Sequence, residues 1–128
     1  MRLLDSNIVI YATQPGNDWL RVEVLSRPFA VSQATRIEVL GWHGLTPQDK
    51  ADLETFLAAG PVYSITDAIA DRAIALRQAR KLSLGDALIA ATALEHGLEL
   101  STRNVGDFKH IAALKLVNPF DHAPAAPP

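Results

Sequence analysis

Short apolar runs that stop abruptly at polar groups, alternating with stretches of helical periodicity, predict an α/β sandwich around a mainly parallel sheet. Two further observations agree. The chain has no internal repeat, and its 128 residues, 48% of them apolar, leave room for one domain with one core. In such sheets ligands bind beyond the carboxyl ends of the strands, so the residues that terminate each apolar run become candidates for a site.

Leu3-Leu4 runs into Asp5-Ser6-Asn7 and then Ile8-Val9-Ile10-Tyr11, which reads as a strand followed by a helix. The polar stretch Gln14-Pro15-Gly16-Asn17-Asp18 interrupts it. Trp19, Val22 and Leu25 then recur at helical spacing until Pro28, and Phe29-Ala30-Val31 is a second strand. Thr35 starts a helix carrying Ile37, Glu38 and Leu40. Thr46-Pro47-Gln48-Asp49 starts another, with a capping threonine, proline at the first helical position and an acid three residues after the cap. Leu53, Phe56 and Leu57 form its buried stripe. After Gly60-Pro61, Val62-Tyr63-Ser64-Ile65 is a third strand, and 66–81 is a helix with Ile69, Ala73 and Leu76 on one face. Ser83 caps the most apolar helix, Ala87 to Leu94, which Gly97 closes. Leu98-Glu99-Leu100 and Leu114-Lys115-Leu116-Val117 complete five strands. The Ala/Pro-rich end, from Ala123 to Pro128, has too few large apolar groups to pack and is expected to be loose.

Composition removes several function classes. With no cysteine there is no thiolate nucleophile, disulfide or cysteine-held zinc, so any metal must sit on oxygen or imidazole. No run approaches the roughly 18 apolar residues of a membrane-spanning helix, and Asp5-Ser6-Asn7 breaks the apolar start, so a cytosolic protein without membrane contact is expected. A formal net charge of −2 gives no broad basic field, which argues against a simple DNA-binding module. No G-x-S-x-G, P-loop or G-x-G-x-x-G occurs, and His43, His96, His110 and His122 have no metal-ligand spacing. His96 beside Gly97 suits a helix C-terminus instead.

The acids carry the chemistry. Asp5 ends the first strand, Glu38 lies near the start of the helix after the second, and Asp107 lies one short turn beyond the fourth strand; these share an edge of the sheet. Asp86 joins them if the apolar helix begins at that edge. Clustered carboxylates repel unless a cation neutralises them, and a hard divalent cation on oxygen ligands can activate water against a phosphodiester. Each acid also has a structural reading. Thr35-x-x-Glu38 and Ser83-x-x-Asp86 both form capping boxes, and Asp107 in Gly106-Asp107-Phe108 suits a turn. For Asp5, Ser6 and Asn7 compete as caps, and a carboxylate closing a central strand would be buried at a cost without a partner.

Leu3-Leu4-Asp5-Ser6-Asn7-Ile8-Val9-Ile10-Tyr11, Thr35-x-x-Glu38, Gly85-Asp86-Ala87-Leu88-Ile89-Ala90-Ala91-Thr92-Ala93 and Ser101-Thr102-Arg103-Asn104-Val105-Gly106-Asp107-Phe108 resemble the successive motifs of the PIN-domain family, and among its members the VapC-type toxins of bacterial toxin–antitoxin pairs. The resemblance implies a three-layer α/β/α sandwich with a five-stranded sheet over residues 1–119, followed by a flexible Pro/Ala-rich tail at 120–128. It implies a metal-dependent endoribonuclease with Asp5, Glu38, Asp86 and Asp107 around Mg²⁺ or Mn²⁺, supported by Asn7, Thr102 and Asn104. Family members vary around Asn104 and Asp107. The partners implied are RNA, a cognate small antitoxin protein and a second copy of the chain. Arg80, Lys81 and Arg103 are candidates for attraction of RNA beside the acids, whereas Arg72 and Arg77 read as solvated helix faces. Two other readings stand beside this one: a catalytically inactive PIN-like module that binds RNA or protein, and an acidic-site phosphohydrolase. The latter usually needs a second acid two residues after its nucleophilic Asp, where this chain has Asn7.

Overall fold

The apolar runs are short, and so are the strands they form. The computed structural model of the chain describes residues 1–124. In order these are β1 (Arg2–Leu4), α1 (Ser6–Thr13), α2 (Asp18–Leu25), β2 (Phe29–Ser32), α3 (Gln33–Leu40), α4 (Pro47–Leu57), β3 (Val62–Tyr63), α5 (Asp67–Ala79), α6 (Leu84–His96), β4 (Glu99–Ser101), α7 (Val105–Phe108), β5 (Leu116–Val117) and a 3₁₀ turn at Pro119–His122. The sheet order is β3-β2-β1-β4-β5, and every pairing is parallel. Leu3 faces Ala30 on one neighbour and Leu100 on the other, and all three are fully buried, as a parallel sheet covered on both faces requires.

Two helical layers cover those faces. Leu3, Ala30 and Leu100 pack with Ile69 and Ala73 of α5 and the alanines of α6, whose small side chains let the two helices approach each other and the sheet closely. On the other face Leu4, Phe29 and Val31 meet Ile8 and Val9 of α1, Leu20 and Val24 of α2, and Leu53, Phe56 and Leu57 of α4. Each large side chain so buried contributes about 1.5–3 kcal/mol. The helix ends follow the expected chemistry. Thr46 and Ser83 each accept an N–H three residues on, at 3.1 Å, and Gly97 closes α6 at φ 64°.

Four local expectations change. Val22 and Leu25 are not part of a buried stripe: they are 68% and 48% exposed, and α2 instead buries Leu20 and Val24. Arg2 ties this helix to β1: its buried guanidinium bonds the Glu23 carboxylate at 3.0 Å and the Val24 carbonyl at 2.7 Å. The third strand stops at Tyr63, short of Ile65. Thr35 does not start its helix, because Ser32 caps α3 by accepting from Ala34 N at 3.0 Å. The ordered domain also runs past residue 119. Phe120 lies edge-on to Tyr11 and Trp19, at ring separations of 5.4 and 5.3 Å, and sits 4.1 Å below the Arg103 guanidinium. Of the expected tail, residues 125–128 lie outside the described residues.

The Phe120 contacts make a prediction that the expected boundary at 119 does not. Phe120→Ala is expected to destabilise the chain by about 2 kcal/mol, below the usual cost of a fully buried phenylalanine because this ring is partly exposed. Urea denaturation checks it, and an unchanged midpoint would return the residue to the tail.

Candidate active site

The strand order reverses between β1 and β4, and that is where the acids lie. Asp5 follows Leu4, the last residue of β1, and its N–H continues the ladder to Ser101 O at 2.9 Å. Its carboxylate then turns inward: Oδ1 accepts from Ser6 N at 2.8 Å and Oδ2 from the Thr102 hydroxyl at 2.7 Å. Asp5 therefore is the N-cap of α1, a structural role that its neighbours seemed better placed to fill. Only 4% exposed, it has its pKa raised to about 6 by burial. The bonds from Thr102 and Ser6 oppose that shift, and the charges of Asp86 and Glu38 add to it.

Glu38 sits in the second turn of α3 rather than in a capping box. Ser6 Oγ donates to its Oε1 at 3.1 Å and lies 3.2 Å from the hydroxyl of the fully buried Thr35. Glu38 is pressed against the start of α6: a Cβ on Gly85 would stand 2.9 Å from Glu38 Oε1. A side chain at this position would push the Glu38 carboxylate aside. Asp86, next in sequence, occupies the first turn of α6 with its N–H on Ser83, so half of the expected capping box is present. Burial raises its pKa; Ser83 counteracts this, and the charge of exposed Asp107, in α7, adds to it.

Of the supporting residues, Thr102 bonds Asp5 and accepts from Asn104 N at 3.0 Å, which fixes the turn after β4. Asn104 makes that contact by its backbone, and Asn7 reaches Arg103 N only at 3.5 Å. The basic residues divide. Arg72 pairs with Glu95, Arg77 bonds the Leu82 carbonyl, and Arg103 stacks on Tyr11 and Phe120. Arg80 and Lys81 line a cavity together with Asp86 and Asp107.

The fold thus links Asp5 with Glu38 and Asp86, and Asp86 with Asp107, within electrostatic reach. Among the described residues none of the four has a lysine, arginine or histidine nitrogen within 4.0 Å. Among them, too, no three acidic or imidazole groups converge closely enough to ligate one ion as they stand. Like charges hold one another apart, while separate anchors on Ser6, Thr102 and Ser83 fix their directions. The donor set is all oxygen, anionic and without a basic partner, which fits a hard divalent cation. Ser6, which holds Glu38, and Gly85, which admits it, are the functional positions that residue spacing alone did not single out; a small side chain beside each acid was the only signal.

Burial of Asp5 sets a pH dependence. The folded chain holds this proton more tightly than the unfolded chain, so it binds more protons between pH 3.8 and about 6, and stability falls as pH rises through that window. Under chelation the contribution of neutral Asp5 is complete below pH 3.8 and lost above about pH 6, a difference of up to about 3 kcal/mol. Asp5→Asn is expected to flatten that fall and to raise the urea midpoint at neutral pH relative to the wild type. Urea titrations of both proteins across the window check it, and parallel curves would contradict it.

The PIN domain family model matches residues 2–114. Ribonuclease VapC10 of Mycobacterium tuberculosis is 32% identical over 123 residues, covering 90% of this chain and 91% of that protein. A toxin–antitoxin complex from Klebsiella pneumoniae contains a chain 35% identical to this one, with a TM-score of 0.77 and coverage of 93% of this chain and 98% of that one. FitAcB from Neisseria gonorrhoeae superposes with a TM-score of 0.76 at 25% identity, over 94% of this chain and 99% of that one. The match runs from the first strand to the threshold of the last, and the relatives agree with it in length and fold: this chain belongs to the PIN-domain family, among its VapC-type members.

Proposed function

We propose that the chain is a Mg²⁺- or Mn²⁺-dependent endoribonuclease and the toxin of a toxin–antitoxin pair. The observation that carries this is the set of four carboxylates without basic partners at the sheet's reversal point, in a chain similar to a ribonuclease and to a toxin–antitoxin complex. Asp5 and Asp86 are the principal metal-holding groups, with Glu38 and Asp107 beside them. The bound ion supplies Lewis acidity toward the phosphodiester and a lowered pKa for the attacking water. The chain's own residues do the rest. Thr102 and the Ser6 N–H hold both oxygens of Asp5, Ser6 Oγ aims Glu38, and Ser83 fixes the turn that presents Asp86. Glu38 and Asp107, exposed at the mouth, are placed to accept a proton from water. No 2′-hydroxyl need take part.

The surface supports the proposed partners. A groove of about 580 Å³ between α1, α3 and α4, lined by Ile10, Trp42, Leu45 and Leu53, leads to Glu38 and suits an amphipathic segment of a small antitoxin. Trp42 is 58% exposed there. Ile74 and Leu84, 56% and 59% exposed where α5 meets α6, support a homodimer. Among the described residues no helix is long and apolar enough to cross a membrane.

Asp86→Asn is expected to lower RNA cleavage by at least about 100-fold while the folded chain persists, and chelation to stop the wild type until Mg²⁺ or Mn²⁺ is returned. Gel-based cleavage assays with circular dichroism of the variant check both, and activity indifferent to chelator would sink the reading. Gly85→Ala separates site from scaffold. It should stabilise α6 by up to about 1 kcal/mol yet displace Glu38 and cut cleavage about tenfold. Equal activity in that variant would remove Glu38 from the site.

A further inference from the structure

The mouth of the acidic site has a basic side. The connection from α5 to α6 is pinned from within: Leu82 is 8% exposed, and its carbonyl accepts from Arg77 Nε at 3.1 Å. Pinning leaves Arg80 and Lys81 exposed on its outer edge, immediately before Ser83 and the turn that carries Asp86. Neither has a carboxylate within 4.0 Å among the described residues. They line a cavity of about 350 Å³ with Ser83, Asp86, Asp107 and His110. His110 is half-buried at this cavity, with its Nε2 enclosed and without a hydrogen-bond partner in the protein. One cavity therefore carries two unpaired cations at one side and two of the proposed metal-holding acids at the other.

We infer that this cavity is a phosphate subsite for single-stranded RNA. Arg80 and Lys81 hold the backbone phosphate next to the scissile one, and the exposed Ser83 hydroxyl offers it a hydrogen bond. The strand is thereby set so that the scissile phosphodiester lies over Asp86 and Asp107. This rests on the ribonuclease reading above. A chain of net charge −2 with an acidic site has no broad field to draw in a polyanion, so attraction must come from fixed local cations. Guanidinium and ammonium groups one residue apart suit a phosphate, the first by paired hydrogen bonds and the second as a point charge. A polymer of regularly spaced phosphates is the ligand that meets both sides of the cavity at once.

The test measures KM and kcat for a single-stranded oligoribonucleotide over a range of KCl, with the Mg²⁺-loaded full chain and its Arg80→Gln/Lys81→Gln variant. The expected result is a KM raised about tenfold or more, with the loss on KM rather than kcat, and a salt slope of log KM reduced by about 0.7 for each phosphate contact removed. Arg27→Gln/Lys115→Gln, which removes the same charge from the loop after α2 and the segment before β5, should leave both the slope and KM near the wild type. A double variant that matches the wild type, a control that shifts as far, or a loss confined to kcat overturns the subsite. If the double variant does not fold, Arg80→Gln and Lys81→Gln are measured singly, with the same criteria. Wild-type protein that cleaves no RNA defeats the ribonuclease reading itself, whereas cleavage unaffected by these substitutions defeats the subsite alone.

Discussion

The hydrogen bond from Thr102 to Asp5, 2.7 Å long, is the contact on which the site depends. It joins the residue after β4 to the residue after β1 across the line where the strand order reverses, so it couples the two halves of the sheet and positions a carboxylate in one stroke. Its partner constraint is burial. Asp5 is almost fully enclosed, and an enclosed carboxylate persists only if its oxygens are satisfied. The cap on α1 and the threonine do that structurally, while burial keeps the group's pKa raised. Structure and chemistry thus draw on the same two oxygens.

Hydroxyl groups extend that arrangement outward. Ser6 lies between Thr35 and Glu38, and Thr92 of α6 lies 3.4 Å from Ser32, the cap of α3. These serines and threonines are buried between layers that are otherwise apolar, and each sits beside an element that delivers an acid. Small hydroxyls suit such places because they satisfy one another at short range without carrying charge into the core. The same economy of size operates at Gly85, where even a methyl group would crowd the Glu38 carboxylate.

Much of this was legible in the residues. Apolar runs ending in Asp5 and in Ser101-Thr102 located the carboxyl edge of the sheet, and the PIN-like motifs named the four acids that lie along it. What stayed hidden depended on contacts distant in sequence. Periodicity in α2 picked out Trp19, Val22 and Leu25, whereas the fold buries Leu20 and Val24 and ties the helix backbone to Arg2 of β1. Thr35 matched a capping box by spacing, yet Ser32 took the cap one turn earlier and left Thr35 for the interior. Phe120 fell in the expected tail because the resemblance was carried only to residue 119. Its partners Tyr11, Trp19 and Arg103 come from three other parts of the chain.

The separation of Asp5 and Thr102 by 97 positions has a consequence for synthesis. A chain emerging from the ribosome completes β1, β2 and β3 early, but Asp5 has neither its hydroxyl partner nor its neighbouring strand until β4 has been made. Glu38 likewise meets its neighbour at Gly85 only once the start of α6 has been made. The pocket therefore assembles only when the greater part of the polypeptide is out. A nascent fragment cannot display it, and the activity proposed for this site is withheld from the ribosome that is making it.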